Sequence, residues 1–337
     1  MPAVLLVVLS AALYSASFPP LGWRPLAWIA LAPLLVAVVD AQPLRAAVLG
    51  LVWGIALAVG TAWWLPAMVA AYYDAAAWTG WSALALVGVG HAGVAYAPAA
   101  AWIARQARAG RSGPWCIALA WTAAELVRCE LLGDPWALAG YSQVDWLRLL
   151  QMADVAGVYG VGILVVAVNA LLASAWAPAL RGRRPVLSAA TVALALLIAL
   201  TYGTRRLAEP PDGPGTFTVG IVQSGIGRGF RWQASYRELG VTEHLTPSAG
   251  LRAAGAELIV WPEHAVSFYV QESTPAGDRL KAGLTALRTE VVLGGPHYGP
   301  GPGTSTVYQN SIYLFRDGGY AARYDKQHLL PLAETRG

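Results

Sequence analysis

Up to Thr204 this chain is dominated by apolar stretches of roughly bilayer length, and after Thr204 they stop. They fall near residues 3–18, 26–39, 46–70, 76–104, 113–131, 155–178 and 185–203. The longer ones reach the ~20 residues that a helix needs to cross hydrocarbon. Only 12% of the chain is charged and 56% is hydrophobic, whereas a soluble protein carries about 25% charged residues. The first two stretches are short and flank the turn Phe18-Pro19-Pro20-Leu21-Gly22-Trp23, so they read as a compact hairpin whose spans borrow their flanks. The expectation is a membrane domain of about seven helices over 1–204. Residues 205–337, with the charge and Gly/Pro punctuation of a folded aqueous domain, form a second one.

Arginine placement orients the spans. Arg45, Arg105, Arg108, Arg111, Arg181, Arg183 and Arg184 fall in one set of loops, against Arg24, Arg128 and Arg148 in the other. The arginine-rich side is expected to be cytoplasmic, which puts residues 205–337 outside. The net charge of +4 comes largely from these flanking arginines, and with no basic stripe among aromatics after residue 205, nucleic acid is not an expected partner. Cys116 and Cys129 are too few for a disulfide framework and lack metal-ligand spacing, so they read as small buried hydrophobes. Glu125 and Arg128, three apart in the fifth stretch, are placed to pair on one helix face. The aromatic loop 133–143, with Trp136 and Tyr141, reads either as an interfacial belt or as a lip over which lipid chains enter a site.

The second part alternates strands and helices. Strands are expected at 216–223, 257–261, 291–294, 311–315 and 320–324, with helical spacing at 232–253 and 276–288, giving an α/β domain with a layered sheet. One run carries chemistry: Leu258-Ile259-Val260-Trp261 reads as a core strand that Pro262 stops where Glu263 emerges, and α/β enzymes place reacting groups at such strand tips. A second candidate follows the hairpin with its Gly318-Gly319 turn. All but two of the 23 basic residues are arginine, and of those two Lys281 lies in a helical surface pattern whereas Lys326 lies just past a strand. An ammonium there offers a compact point charge that a planar guanidinium cannot replace.

Several long motifs stand in a familiar order: DPWALAGYSQ at 134–143, LLQMADVAGVYGVGILVVAVNALL at 149–172, IVWPEHA at 259–265, and YQNSIYLF with YDKQHLLPLAE between 308 and 334. Together they resemble the bacterial apolipoprotein N-acyltransferase family, whose members join a multi-span membrane domain to an extracytoplasmic domain of the nitrilase (carbon-nitrogen hydrolase) superfamily. The resemblance implies an α/β nitrilase-like domain, an αββα sandwich, incomplete in this chain and represented by its N-terminal half. It implies transfer of an acyl chain from a phospholipid donor to the α-amino group of a diacylated apolipoprotein acceptor, through a thioester. Glu263 matches the general base, Lys326 the lysine that meets the oxyanion, and Glu334 a further glutamate. Trp232 resembles a tryptophan near the acyl pocket, and Trp136 and Tyr141 are candidate substrate contacts. No metal or organic cofactor is implied. The protein is expected as a monomer in the bacterial inner membrane with its nitrilase-like domain periplasmic.

The nucleophilic thiol of that family would follow Lys326, and no cysteine stands after Cys129, so the chain is expected to be C-terminally truncated. Two other readings compete with the acyltransferase: a non-catalytic relative that binds lipid or lipoprotein, and a membrane-tethered nitrilase-type amidase.

Overall fold

A computed structural model describes residues 2–180, 184–210, 215–225, 236–301 and 303–329. The chain divides into two units, Met1–Pro210 and Pro211–Gly337.

The first unit is helical. Its helices are α1 (Ala3–Ala16), α2 (Ala27–Ala30), α3 (Ala32–Val39), α4 (Pro43–Thr61), α5 (Leu65–Tyr72), α6 (Ala77–Ala85), α7 (Val94–Arg108), α8 (Pro114–Leu126), α9 (Leu147–Leu150), α10 (Ala153–Trp176) and α11 (Pro185–Ala208). The π-helical segment Leu86–Gly93 joins α6 to α7 in one continuous run. Four helical runs among the described residues are long and apolar enough to cross a membrane: Pro43–Thr61, Ala77–Arg108, Ala153–Trp176 and Pro185–Ala208. The stretch 46–70, expected as one span, divides instead. Pro66 sits in the first turn of α5, where a missing N–H costs nothing, whereas in a continuous helix it would break the ladder.

Trp53 of α4 is fully buried and anchors the packing. Its ring meets Tyr14 of α1, Tyr96 of α7 and Trp121 of α8 edge-on, with centroids 5.3, 4.9 and 4.8 Å away. Its indole N–H donates to Ser10 Oγ at 3.0 Å, so the polar atom that accompanies this large apolar surface is satisfied. Asn169 of α10, also fully buried, serves the break between α2 and α3. Its Oδ1 accepts from the N–H groups of Leu31 and Ala32 at 2.8 and 3.2 Å, and its Nδ2 donates to Ala27 O at 2.8 Å and Val165 O at 2.9 Å.

The second unit holds a five-stranded sheet of order β1-β2-β3-β4-β5: β1 (Val219–Ile221), β2 (Leu258–Val260), β3 (Glu290–Pro300), β4 (Thr306–Arg316) and β5 (Gly319–Asp325). The first three strands run parallel and the last two antiparallel. The tight turn before β5 is Asp317-Gly318, both residues having positive φ, one residue earlier than the Gly-Gly reading. Asp-Gly suits this mirror-image hairpin turn, whose twist matches that of the strands.

Two helices, α12 (Tyr236–Ala253) and α13 (Pro275–Leu287), belong to this unit. On α12 the buried residues Gly240, His244 and Ser248 recur every four positions, and on α13 Leu280, Leu284 and Leu287 recur every three or four, the spacing of one helix face. These leucines share a core with Ile259, Val291, Leu293, Tyr313 and Phe315 of the sheet, each such side chain contributing about 1.5–3 kcal/mol by its burial. The alternate residues on the other face stay open: Val219, Ile221, Ile312 and Tyr324 are exposed, Ile221 by 76%.

Candidate active site

Strand β2 ends at Val260, but its chain stays on β3. Trp261 N–H donates to Val292 O at 2.8 Å, and Val266 N–H donates to Gly294 O at 3.2 Å. Between these two ties Pro262-Glu263-His264-Ala265 makes a sharp elbow. Ala265 N–H returns to Pro262 O at 3.2 Å, and His264 takes φ +53, a left-handed conformation uncommon outside glycine. Trp261 fixes the near side, its indole N–H donating to Ser248 Oγ at 2.9 Å.

Gly294 allows the elbow to lie flat on β3. A Cβ there would stand 2.7 Å from Glu263 Cα and 2.7 Å from Pro262 O, both backbone atoms that no rotamer change can clear. The substitution Gly294→Ala is expected to lift the elbow and destabilise the unit by about 1–3 kcal/mol, the usual cost of overpacking. Thermal unfolding in detergent measures it, and an unchanged midpoint would contradict the close approach.

Lys326 arrives from the far edge. Its N–H donates to Asn310 O at 2.8 Å, carrying the β4–β5 ladder one residue beyond Asp325. Asp325 is held in turn by Gln309 Nε2 at 2.9 Å, Ser311 Oγ at 2.7 Å and both sides of the Arg323 fork, at 2.8 and 3.1 Å. From this fixed root Lys326 Nζ reaches Glu263 Oε1 at 3.3 Å. The Asn310 side-chain amide also donates to Oε1. Glu263 and Lys326, 63 residues apart in sequence, thus meet at one end of the sheet. The Glu263 side chain is 60% exposed, and an ion pair so open to water contributes at most about 1 kcal/mol to stability.

Beside the elbow is a shallow pocket lined in part by Ser224, Tyr236, Arg237, His244, His264 and Ser267. Among the described residues no cluster of three or more His, Cys, Asp or Glu side chains is arranged to hold a metal. Trp232 and Glu334 lie outside the described residues.

Trp136 and Tyr141 belong to the helical unit. Both are partly exposed, at 40% and 46%, and Trp136 packs on Trp64 with centroids 5.4 Å apart. The loop that carries them is tied to the helices from below. Ala139 N–H donates to Glu125 Oε1 at 2.7 Å, Tyr14 OH donates to Ala137 O at 3.1 Å, and Trp28 Nε1 donates to Gln143 Oε1 at 3.0 Å. Gly140 permits this seat, because a Cβ there would stand 2.1 Å from Val158 O.

The Glu125–Arg128 pair expected on one helix face does not form. Arg128 pairs with Asp134 at 3.0 Å and donates to Trp136 O, while Glu125 accepts from Ala139 and from Trp121 Nε1. The cause is local: residues 127–131 are π-helical, and the wider turn moves Arg128 off the Glu125 face. Arg128 and Asp134 are both buried. Asp134→Ala is therefore expected to cost about 3–5 kcal/mol by stranding a buried guanidinium, with partial recovery in Arg128→Met/Asp134→Ala, read from unfolding midpoints in detergent. Cys116 and Cys129, expected to be buried, are free thiols of intermediate exposure.

Sequence comparison agrees with this layout. A family model described as the apolipoprotein N-acyltransferase N-terminal domain matches residues 10–171, and one described as carbon-nitrogen hydrolase matches 218–337. The apolipoprotein N-acyltransferase of Geobacter metallireducens is 34% identical over 98% of this chain. Apolipoprotein N-acyltransferases from Methylococcus capsulatus and Chromobacterium violaceum are 29% and 28% identical, each over 99% of the chain. The N-terminal domain match and these relatives are those of apolipoprotein N-acyltransferases. In all three alignments the chain spans 64% of the relative's length. Within this apolipoprotein N-acyltransferase framework three residues escaped the sequence reading: Asn310, Asp325 and Gly294. Asn310 left one signal, a short amide side chain inside a strand that otherwise favours β-branched and aromatic residues.

Proposed function

We propose that this chain contributes the membrane domain and the base and cation of an enzyme that moves an acyl chain from a phospholipid to the N-terminal α-amino group of a diacylglyceryl-cysteine apolipoprotein. The observation that carries the reading is Glu263 and Lys326 meeting at 3.3 Å at one end of the sheet, where the two opposite charges add little stability. Glu263 takes the proton of a cysteine thiol, the nucleophile that the family resemblance implies. The thiolate attacks the phospholipid ester carbonyl, and Lys326 meets the oxyanion. The ester C–O bond then breaks, the lysophospholipid leaves as an alcohol with the proton from Glu263, and the thioester remains. The acceptor amine attacks that thioester and regenerates the thiol.

Glu334 belongs to the same proposed site, and Trp232, Trp136 and Tyr141 to acyl-chain contacts. The second unit is read as the N-terminal half of a nitrilase-like domain, its open apolar face suited to the second sheet of an αββα sandwich. About seven spans over 1–204, a bacterial inner-membrane location and a monomeric state belong to the reading, and the arginine bias of the loops supports a periplasmic second domain. The test supplies the full-length protein in detergent with a fluorescent phospholipid and a diacylated lipopeptide. Triacylated product and a trapped acyl-thioester are expected. Lipid binding without either product would favour the non-catalytic relative, and ammonia release from a simple amide would favour the amidase.

A further inference from the structure

Asn310 is the one described residue that touches both Glu263 and Lys326 by different groups. Its backbone carbonyl accepts from Lys326 N–H at 2.8 Å, and its side-chain amide donates to Glu263 Oε1. The amide orientation follows from its partner, since only the NH₂ end can face a carboxylate. Lys326 Nζ falls on the same oxygen, Oε1. A carboxylate rotates broadly about its last torsion, and Glu263 is largely exposed, so an ammonium on a flexible four-carbon stem would follow either oxygen as it turned. A short amide rooted on a central strand cannot follow. Asn310 stands opposite Pro296 of β3, next to the Ser311–Asp325 pair that closes β5, and Asp325 is clamped by Gln309, Ser311 and Arg323.

We infer that Asn310 is a positioning residue that pins Glu263 Oε1, together with Lys326, and thereby assigns Oε2 as the oxygen that accepts the proton. This rests on Glu263 being the base. Both donors occupy one oxygen, leaving the second to face the incoming proton. General-base catalysis needs the accepting atom within hydrogen-bond reach of that proton, so a carboxylate that presents either oxygen in turn is correctly aimed for only part of the time.

The test uses Asn310→Ala and Asn310→Asp in the full-length protein. Both keep the backbone carbonyl that holds Lys326. The aspartate also keeps the shape of the side chain but, when ionised, donates nothing. Single-turnover acyl-thioester formation is expected to fall about 10²-fold in both variants, the usual cost of misplacing a reacting group, with the phospholipid KM essentially unchanged. Isotope-edited infrared spectroscopy of ¹³C-glutamate protein supplies a readout independent of turnover: the carboxylate band lost in Glu263→Gln should shift in both Asn310 variants. Normal thioester formation in both variants with an unmoved band would overturn the inference. Normal turnover by Glu263→Gln would remove the base itself, a distinct failure that takes the inference with it.

Discussion

Glu263→Gln in the full-length protein is expected to lower acyl-thioester formation by about 10²–10⁴-fold, the range that a positioned general base supplies. Glutamine preserves the volume and the oxygen that Asn310 and Lys326 contact, so the elbow over Gly294 has no reason to move. What is lost is the ability to take a proton. The unfolding midpoint provides the control: an exposed pair of this kind contributes at most about 1 kcal/mol, so a large fall in rate must come with a small change in stability. A variant that lost both together would place Glu263 in the architecture and not in the chemistry, and one that kept its rate would remove Glu263 from the reaction.

Lys326→Arg is expected to cost about 10²–10³-fold in the same step, comparable to removing one oxyanion donor. The charge survives. The geometry does not, because a guanidinium is wider and planar and spreads its donors over a fork, whereas the ammonium aims three donors from one point. Nζ lies 3.3 Å from Glu263 Oε1, and an arginine here would reach past that carboxylate or pair with both of its oxygens, covering the one that must accept the proton. Lys326→Met separates charge from shape and is expected to fall at least as far. If arginine supported near-normal thioester formation, the lysine would be acting through charge alone and the oxyanion role would be wrong.

The two catalytic candidates were legible because each interrupts a pattern. Glu263 ends an apolar run directly after a proline, and Lys326 is a lysine in a chain that otherwise uses arginine. The apolar stretches likewise announce their helices, since an apolar run of that length satisfies its own backbone in lipid by coiling into a helix. Features set by contacts between distant segments were not legible. The redirection of Arg128 from Glu125 to Asp134 depends on a π-helical turn that no periodicity reveals, and the division at residues 62–64 turns on one proline whose position in a first turn or a helix interior is decided by packing. Asn310 reads as an ordinary, slightly unfavourable strand residue until Glu263 is brought beside it from 47 positions away. Gly294 looks like part of a glycine pair in a strand, and only the elbow above it shows why a side chain is excluded.

Asn169 carries a mechanical consequence. Its amide accepts from Leu31 and Ala32 and donates to Ala27, so one side chain both gives and takes across the gap between α10 and the α2–α3 break. Apolar helices in a bilayer glide easily past one another, since leucine against leucine looks much like leucine against lipid. A two-way amide resists that sliding. Moving α10 by a single 1.5 Å step along its axis would undo three bonds at once in a medium with no water to replace them. Asn169 therefore works as a detent that sets the height of α10 against the N-terminal hairpin, and, through the loop that rests on Val158, the level at which Trp136 and Tyr141 are presented.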